Sequence, residues 1–390
     1  MASSSHYHYH NDDDDEDYVN DYVEDYVNDY VQNFDEEPKK RKQRIYMERF
    51  REDGHQKLWN DYFSETPTYN PELFRRRFRM NKSLFLRIVQ RLETNIPYFQ
   101  QGTDCTGRSS LTPLQKCTAA IRQLAYGGAA DSLDEYVRLA ETTARKSLHK
   151  FTAEIISLFG DEYLRQPTQE DLQRLLYIGD QRGFPGMIGS IDCMHWEWKN
   201  CPTAWKGMYS RGTEKPTIVL EAVASKVNFN VNGNQYHLAY YLTDGIYPKW
   251  ATFIQSIRLP QSEKHSLFAK TQEAVRKDVE RAFGVLQARF AVVKNPSKLW
   301  DKDKIANIMK ACIILHNMIV EDERSSYTQY NVREFQESEE DDTFTVTPNS
   351  NLGTAMDRRS SVRNRQAHEQ LKFDLIENIW AKFRHFPNNQ

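Results

Sequence analysis

The feature that most limits the fold of this chain is a change of hydrophobic period part-way along it. From Ile45 to about Gly160, apolar residues recur every three or four positions, the spacing of helices that bury one face. In "YNPELFRRRFRMNKSLFLRIVQRL", Leu73, Phe74, Phe78, Leu84, Phe85, Ile88, Val89 and Leu92 keep that spacing, and Asn70-Pro71 supplies a cap and a first turn. Thr112-Pro113 and Gly127-Gly128 bracket a second helix. A short helix is expected around Ser132 to Val137, and "ETTARKSLHKFTAEIISLFG" reads as a long one. After a helical "QEDLQRLLYI" and the loop "GDQRGFPG", the wording changes. "MIGSID", "PTIVLEAVAS" and "QYHLAYYLTDG" read as β-strands, rich in Ile, Val, Leu and Tyr and punctuated by Gly, Pro and Asp. Helices return at "EKHSLFAKTQEAVRKDVERAFGVLQARFAVV" and "KDKIANIMKACIILHNMIV"; the latter is apolar on most sides and is expected to be buried. A chain written in this order is an α/β protein with an all-helical part in front.

Charge is distributed unevenly. Residues 1–37 hold thirteen Asp or Glu and no Lys or Arg, so all 52 basic residues face the remaining 42 acids in the rest of the chain. The body is mildly basic and suits a polyanion; the head is itself a polyanion. Its repeat "DYVNDYVEDYVNDYV", Asp17 to Val31, would stack Tyr18, Tyr22, Tyr26 and Tyr30 on one helix face. Its aspartates repel, so a solvated tail is expected unless a partner orders it. The basic block that follows, Pro38, Lys39, Lys40, Arg41 and Lys42, suits an importin-type acidic groove and a nuclear address. Five cysteines without a C-x-x-C pair argue against a disulfide framework or a cysteine zinc site. No run reaches the eighteen or so apolar residues of a membrane span, and "MASSSHYHYHND" lacks the apolar core of a secretory signal, so no membrane is expected.

Three helices, the last polar and basic on its outer side through Arg145, Lys146 and Lys150, fit a helix-turn-helix that lays that helix on DNA. A plain bundle with a solvated face fits the same pattern equally well. Asp192 ends the strand "MIGSID", and Asp244 closes "YYLTDG" 52 residues later. Glu280, 36 residues beyond Asp244, lies at the margin of a helical stripe made by Val275, Val279, Phe283, Leu286 and Phe290. Two Asp at strand ends and a Glu on a later helix are the parts of a divalent-metal site, since Mg²⁺ takes oxygen ligands and shares them with substrate phosphates. Taken singly, each has a plainer reading. Asp-Gly is a turn dipeptide, an Asp commonly ends a strand in a local turn, and Glu280 has Arg276, Lys277 and Arg281 around it.

The wording of five blocks carries more than their spacing. "GSIDCMHWEWKNCPTAWKGMYSRG", "KPTIVLEAVAS", "YYLTDGIYPKWATFIQSI", "RKDVERAFGVLQARFAVV" and "ACIILHNMIVEDER", in that order, resemble the plant PIF/Harbinger transposase-derived proteins, the Harbinger-type nuclease-like family. The resemblance covers roughly residues 45–325 and 365–385. It implies a ribonuclease-H-like DDE core whose acids, here Asp192, Asp244 and Glu280, bind Mg²⁺ or Mn²⁺ and hydrolyse DNA phosphodiester bonds by a two-metal mechanism. Lys206, Tyr209 and Arg211 in "AWKGMYSRG" are candidates for holding DNA backbone beside such a site. His195 reads as an orienting or packed histidine and His316 as a buried one. A separate Myb/SANT-like DNA-binding protein is an implied partner.

One departure stands out. Between Ser225 and "VNGNQYHLAYYLTD" members of this family carry a further strand and a helix, and here only "KVNFN" joins the two ends. The expected core is therefore short of one strand and one helix. A new sheet edge and an uncovered apolar face are liabilities. The strands that end on Asp192 and Asp244 are nonetheless expected to be parallel neighbours. The expected organisation is an acidic head at 1–44, a helix-turn-helix-like domain at 45–165 and a nuclease domain at 166–324. An acidic linker at 325–366 and an amphipathic helix within 367–390 complete it, the helix docking on the body or on a partner. Two functions follow: a metal-dependent DNA endonuclease, or a catalytically inactive domesticated transposase that keeps DNA or chromatin contacts.

Overall fold

The computed structural model describes residues 48–103, 107–192, 196–210, 217–218, 226–327 and 361–384. The acidic head, the Lys39–Lys42 block, His195, Arg211, most of "PTIVLEAVAS" and the stretch 328–360 lie outside the described residues. The chain divides into two units, Met1–Glu48 and Arg49–Gln390, and every element below belongs to the second. Among the described residues no helix is long and apolar enough to cross a membrane.

The helices of the first half begin and end where their caps require. They are α1 (Arg51–Leu58), α2 (Pro71–Phe78), α3 (Lys82–Asn95), α4 (Pro113–Tyr126), the short α5 (Asp134–Val137), α6 (Glu141–Tyr163) and α7 (Gln169–Gln181). The Asn70 side chain accepts from Leu73 N, with Pro71 in the first turn. Thr112 and Gln115 form a reciprocal capping box, and Gly127 ends α4 in the left-handed region at φ 60°. A five-residue π-helical turn, Trp59–Phe63, extends α1 and drives Tyr62 and Phe63 inward. There Phe74 and Phe78 stack at 4.1 Å, with Phe85 set edge-on to Phe78 at 4.9 Å.

This helical core is not filled by the first half alone. The long α10 (Lys302–Tyr327), which follows α8 (Thr203–Tyr209) and α9 (Glu263–Arg289) in the chain, packs along α6. It buries Ile305, Ile308, Cys312, Leu315 and Ile319 in the same cluster as Phe85 and Phe151, as its all-round apolarity implied. Asp301 caps its first turn, accepting from Asp303 N at 2.7 Å.

The strands make a mixed α/β region around a small parallel sheet. It has three strands in the order β1 (Met187–Ser190), β6 (Tyr240–Thr243), β7 (Phe253–Gln255), all parallel. Two antiparallel pairs stand apart from it: β2 (Trp196–Glu197) with β3 (Thr217–Ile218), and β4 (Lys226–Val231) with β5 (Asn234–Leu238). The segment expected to be a mere link, "KVNFN", is thus a strand. Asn232 and Gly233 both adopt positive φ, 50° and 81°, which is the type I′ turn that Asn-Gly favours in a two-residue hairpin. The expected single strand "QYHLAYYLTDG" is two, broken at Ala239, so that β5 closes the hairpin and β6 enters the sheet.

The last helix, α11 (Arg365–Phe383), docks on the body. Leu371, Leu375, Ile376 and Ile379 join Val227, Phe229, Val231, Tyr240, Leu242 and Ile254 in a second core. A buried carboxylate fixes its register: Asp374 accepts from Asn234 Nδ2 at 2.8 Å and from the Tyr236 hydroxyl. The Asn232 amide donates to the Asp374 carbonyl at 2.7 Å. At the other end Asn378 Nδ2 reaches Gly183 O at 3.1 Å, and Phe383 lies where any Cβ on Gly183 would intrude.

Candidate functional site

Strand pairing brings together the ends of the two strands that lead into Asp192 and Asp244. In the β1–β6 ladder Ser190 is opposite Leu242, and Ile191 N donates to Leu242 O at 2.8 Å. Asp192 and Asp244 follow two residues later, just past the ends of β1 and β6. Parallel neighbours lie about 4.8 Å apart and residues in register point to the same face. Both aspartates are half-buried. Each strand is anchored from behind by the second core, through Met187 and Ile188 on β1 and Tyr240 and Leu242 on β6. The Asp-Gly turn reading also holds: Asp244 Oδ1 accepts from Ile246 N at 3.1 Å, which fixes the carboxylate's orientation at the strand end.

Glu280 does not join them in a metal-holding group among the described residues. It pairs with Arg276 at 2.7 Å, the arginine 18% and the glutamate 42% exposed. The helix α9 that carries it is pinned to the sheet eight residues earlier. There the buried Gln272 amide donates to Thr243 O at 3.0 Å and Ile254 O at 3.2 Å. Eight residues of helix are about 12 Å of axial rise, so Gln272, not Glu280, sits under the ends of β6 and β7. Among the described residues no three His, Cys, Asp or Glu side chains gather closely enough to hold a metal ion. The stripe expected around Glu280 is only partly covered, with Leu286 and Phe290 buried and Val275, Val279 and Phe283 half-buried. Gly284 has open space beside it.

The donor set at Asp192 and Asp244 fits a hard cation that keeps most of its water, because Mg²⁺ is commonly held by one or two carboxylates and completed by substrate phosphates. It does not by itself fit two ions, which need the third carboxylate.

The remaining residues singled out in the sequence fall into distinct settings. The indoles of "CMHWEW" serve as anchors: Trp196 Nε1 donates to Asn295 O at 2.8 Å and Trp198 Nε1 to Leu299 O at 2.7 Å. Lys206 is exposed on α8, whose Trp205 lies 6.1 Å from Trp198 and under the Lys302 ammonium. Tyr209 ends that helix. Arg145 and Lys146 are exposed on α6; Arg145 pairs with Glu141 at 3.1 Å, Lys146 lies 5.9 Å from the Tyr98 ring, and Lys150 is half-buried. His316 is half-buried and not fully so. Its pKa is lowered by burial and by Arg289, whose guanidinium approaches Nδ1 at 3.5 Å.

Two features near the aspartates were missed from sequence. Gln272 had a legible signal, a polar residue four places after Phe268 in an otherwise apolar stripe. Arg258, which donates to Gly245 O at 3.2 Å beside Asp244, had none, because its proximity is created by the turn after β7.

Comparison with known families gives two matches. Residues 161–227 and 224–327 match the model of a plant transposon protein family, and residues 54–93 match a domain of unknown function (DUF8418). Neither the curated proteins nor the solved structures provide a match. The transposon-protein match covers both aspartates and Glu280, and it supports a transposon-derived protein.

Proposed function

We propose that this chain is a transposase-derived protein of PIF/Harbinger type whose Asp192–Asp244 pair is the centre of a divalent-metal-dependent DNA nuclease. The observation that supports the reading is the parallel pairing of β1 and β6, adjacent strands whose ends lead into Asp192 and Asp244. Two such carboxylates repel unless a cation stands between them. Bound there, Mg²⁺ or Mn²⁺ would stabilise charge developing on a phosphodiester and make a bound water more acidic. The strand order β1-β6-β7, followed by a helix bearing Glu280, is in keeping with a ribonuclease-H-like core. The family match comes in two pieces that meet at 224–227, which favours an internal deletion after Ser225. Nuclear entry through the Lys39–Lys42 block, and a Myb/SANT-like partner for target choice, belong to the same proposal.

A second reading has its own observation. Glu280 is engaged by Arg276 and lies outside any group of three acids, as would suit a domesticated protein that keeps DNA contacts without cutting. The two are separated by nicking of supercoiled DNA in Mg²⁺ or Mn²⁺ by wild type and by Asp192→Asn, Asp244→Asn and Glu280→Gln. The nuclease reading requires nicking by wild type that falls at least about a hundredfold in both aspartate variants, as expected when a group central to transition-state charge stabilisation is lost. Equal backgrounds in all four proteins favour the adaptor.

A further inference from the structure

Trp250 stands in the loop that joins β6 to β7, and cations gather around it from separate parts of the chain. The Arg363 guanidinium lies over its ring, 5.4 Å from the centroid, while Phe253 stacks against the ring at 5.5 Å. The backbone ties the same two segments together, since Ala251 N donates to Val362 O at 2.9 Å. From α11, His368 Nδ1 meets Trp250 O at 3.0 Å, and one turn later Lys372 donates to Ser256 O at 3.3 Å. Lys249 lies close enough to act on both. Burial, and then Lys249, hold the Lys372 ammonium down to about 8. On the other flank of the loop is Arg258, on Gly245.

These cations differ from most others on the protein. Arg75 and Arg289 share Glu323, Arg182 holds Asp278, and Lys264 holds Glu377. Lys249, Arg258, Arg363 and Lys372 have no carboxylate partner among the described residues. The nearby acids are engaged elsewhere, Glu369 by Arg365 and Glu273 by the Ser256 hydroxyl. Lys372 is half-buried and Lys249 disfavours its charge further, a cost that an anion would offset.

We infer that Lys249, Arg363 and Lys372, with Trp250 as the platform that fixes Arg363, hold backbone phosphates of DNA beside the entry to β7. This rests on the proposal that the pair acts on DNA. A phosphate partner explains why cations from the β6–β7 loop, the segment before α11 and α11 itself gather around Trp250 and why they come without acids. It also gives α11 a role beyond covering the sheet, because it contributes one of the three cations.

The test is binding of a labelled DNA duplex, followed by fluorescence anisotropy across a salt series with no divalent ion present. Wild type is compared with Lys249→Gln/Arg363→Gln and with Lys372→Met. Losing two phosphate contacts should lower the slope of log affinity against log salt by about 1.8 for duplex DNA and weaken binding several-fold at low salt. Lys249 and Arg363 are exposed, so their double variant reports on binding even if Lys372→Met disturbs the fold. Unchanged affinity and slope in the double variant would overturn the inference, as would a wild type that does not bind DNA. Nicking is read separately. A reduced slope with no nicking by wild type upholds the phosphate site and sinks the cleavage reading, whereas nicking with an unchanged slope does the reverse.

Discussion

Asp374 is only 3% exposed, yet its neighbours are hydrogen-bond donors and not cations. An acid so placed acts as a register peg: it tells α11 where to stop along the β4–β5 hairpin. Asp374→Ala leaves the half-buried Tyr236 hydroxyl without its acceptor and should cost about 2 kcal/mol, measured as a lower urea midpoint. Gly233 in the hairpin turn is similarly specific. At φ 81° an alanine is strained, so Gly233→Ala should cost about 1 kcal/mol by the same assay. Lys372 makes a prediction about pH. Its folded-state pKa of about 8 lies below the ordinary 10.5, so between those values the unfolded chain binds the proton that the folded chain has shed. Stability contributed by this group therefore rises as pH increases from about 8 toward 10.5, and below 8 its penalty is constant. Unfolding midpoints of wild type and Lys372→Met from pH 7 to 10 should diverge most at pH 7 and converge at the alkaline end.

At the scale of elements, α11 covers the second core. Its Leu371, Leu375, Ile376 and Ile379 each contribute about 2 kcal/mol of burial, a sum comparable to the whole stability of an ordinary domain. A chain ended before Arg365 should lose protease resistance across residues 226–255 and keep it across the first helices; equal resistance throughout would mean that the sheet stands without α11. The sequence made parts of this legible. Helices α2, α4, α6, α9 and α10 were readable because caps and a 3.6-residue period are local signals, and Asn70, Thr112 and Gly127 perform the capping their types suggest. β1 and β6 were readable from their apolar runs. The hairpin is not, although Asn232-Gly233 carries its turn signal, because "KVNFN" on its own reads as a short link. What α11 packs against could not be read either, since an amphipathic face states that it will be buried and leaves the partner open. The same limit applies to the site. The parallel pairing of β1 and β6 is legible from two apolar runs, whereas how α9 lies along the sheet, pinned to Thr243 and Ile254 through Gln272, is not.

On the scale of the whole chain, the two cores divide the work. The helical one joins α1–α6 with α10 and the tryptophan anchors at 196 and 198, and the second holds the short sheet between α7, α9 and α11. Asp192 and Asp244 follow the C-terminal ends of β1 and β6, and the Trp250 cations stand at the entry to β7. A transposon-derived protein of this kind would keep its DNA-handling surface even where cutting has been lost, so metal binding tests the account more directly than cleavage does. Manganese binding to the purified full chain, read by electron paramagnetic resonance, is that measurement. The account predicts a bound ion in wild type whose affinity falls at least about tenfold in both Asp192→Asn and Asp244→Asn, the size of loss that follows removal of a ligand's support. Equal Mn²⁺ binding in wild type and both variants, or none in any of them, would contradict it.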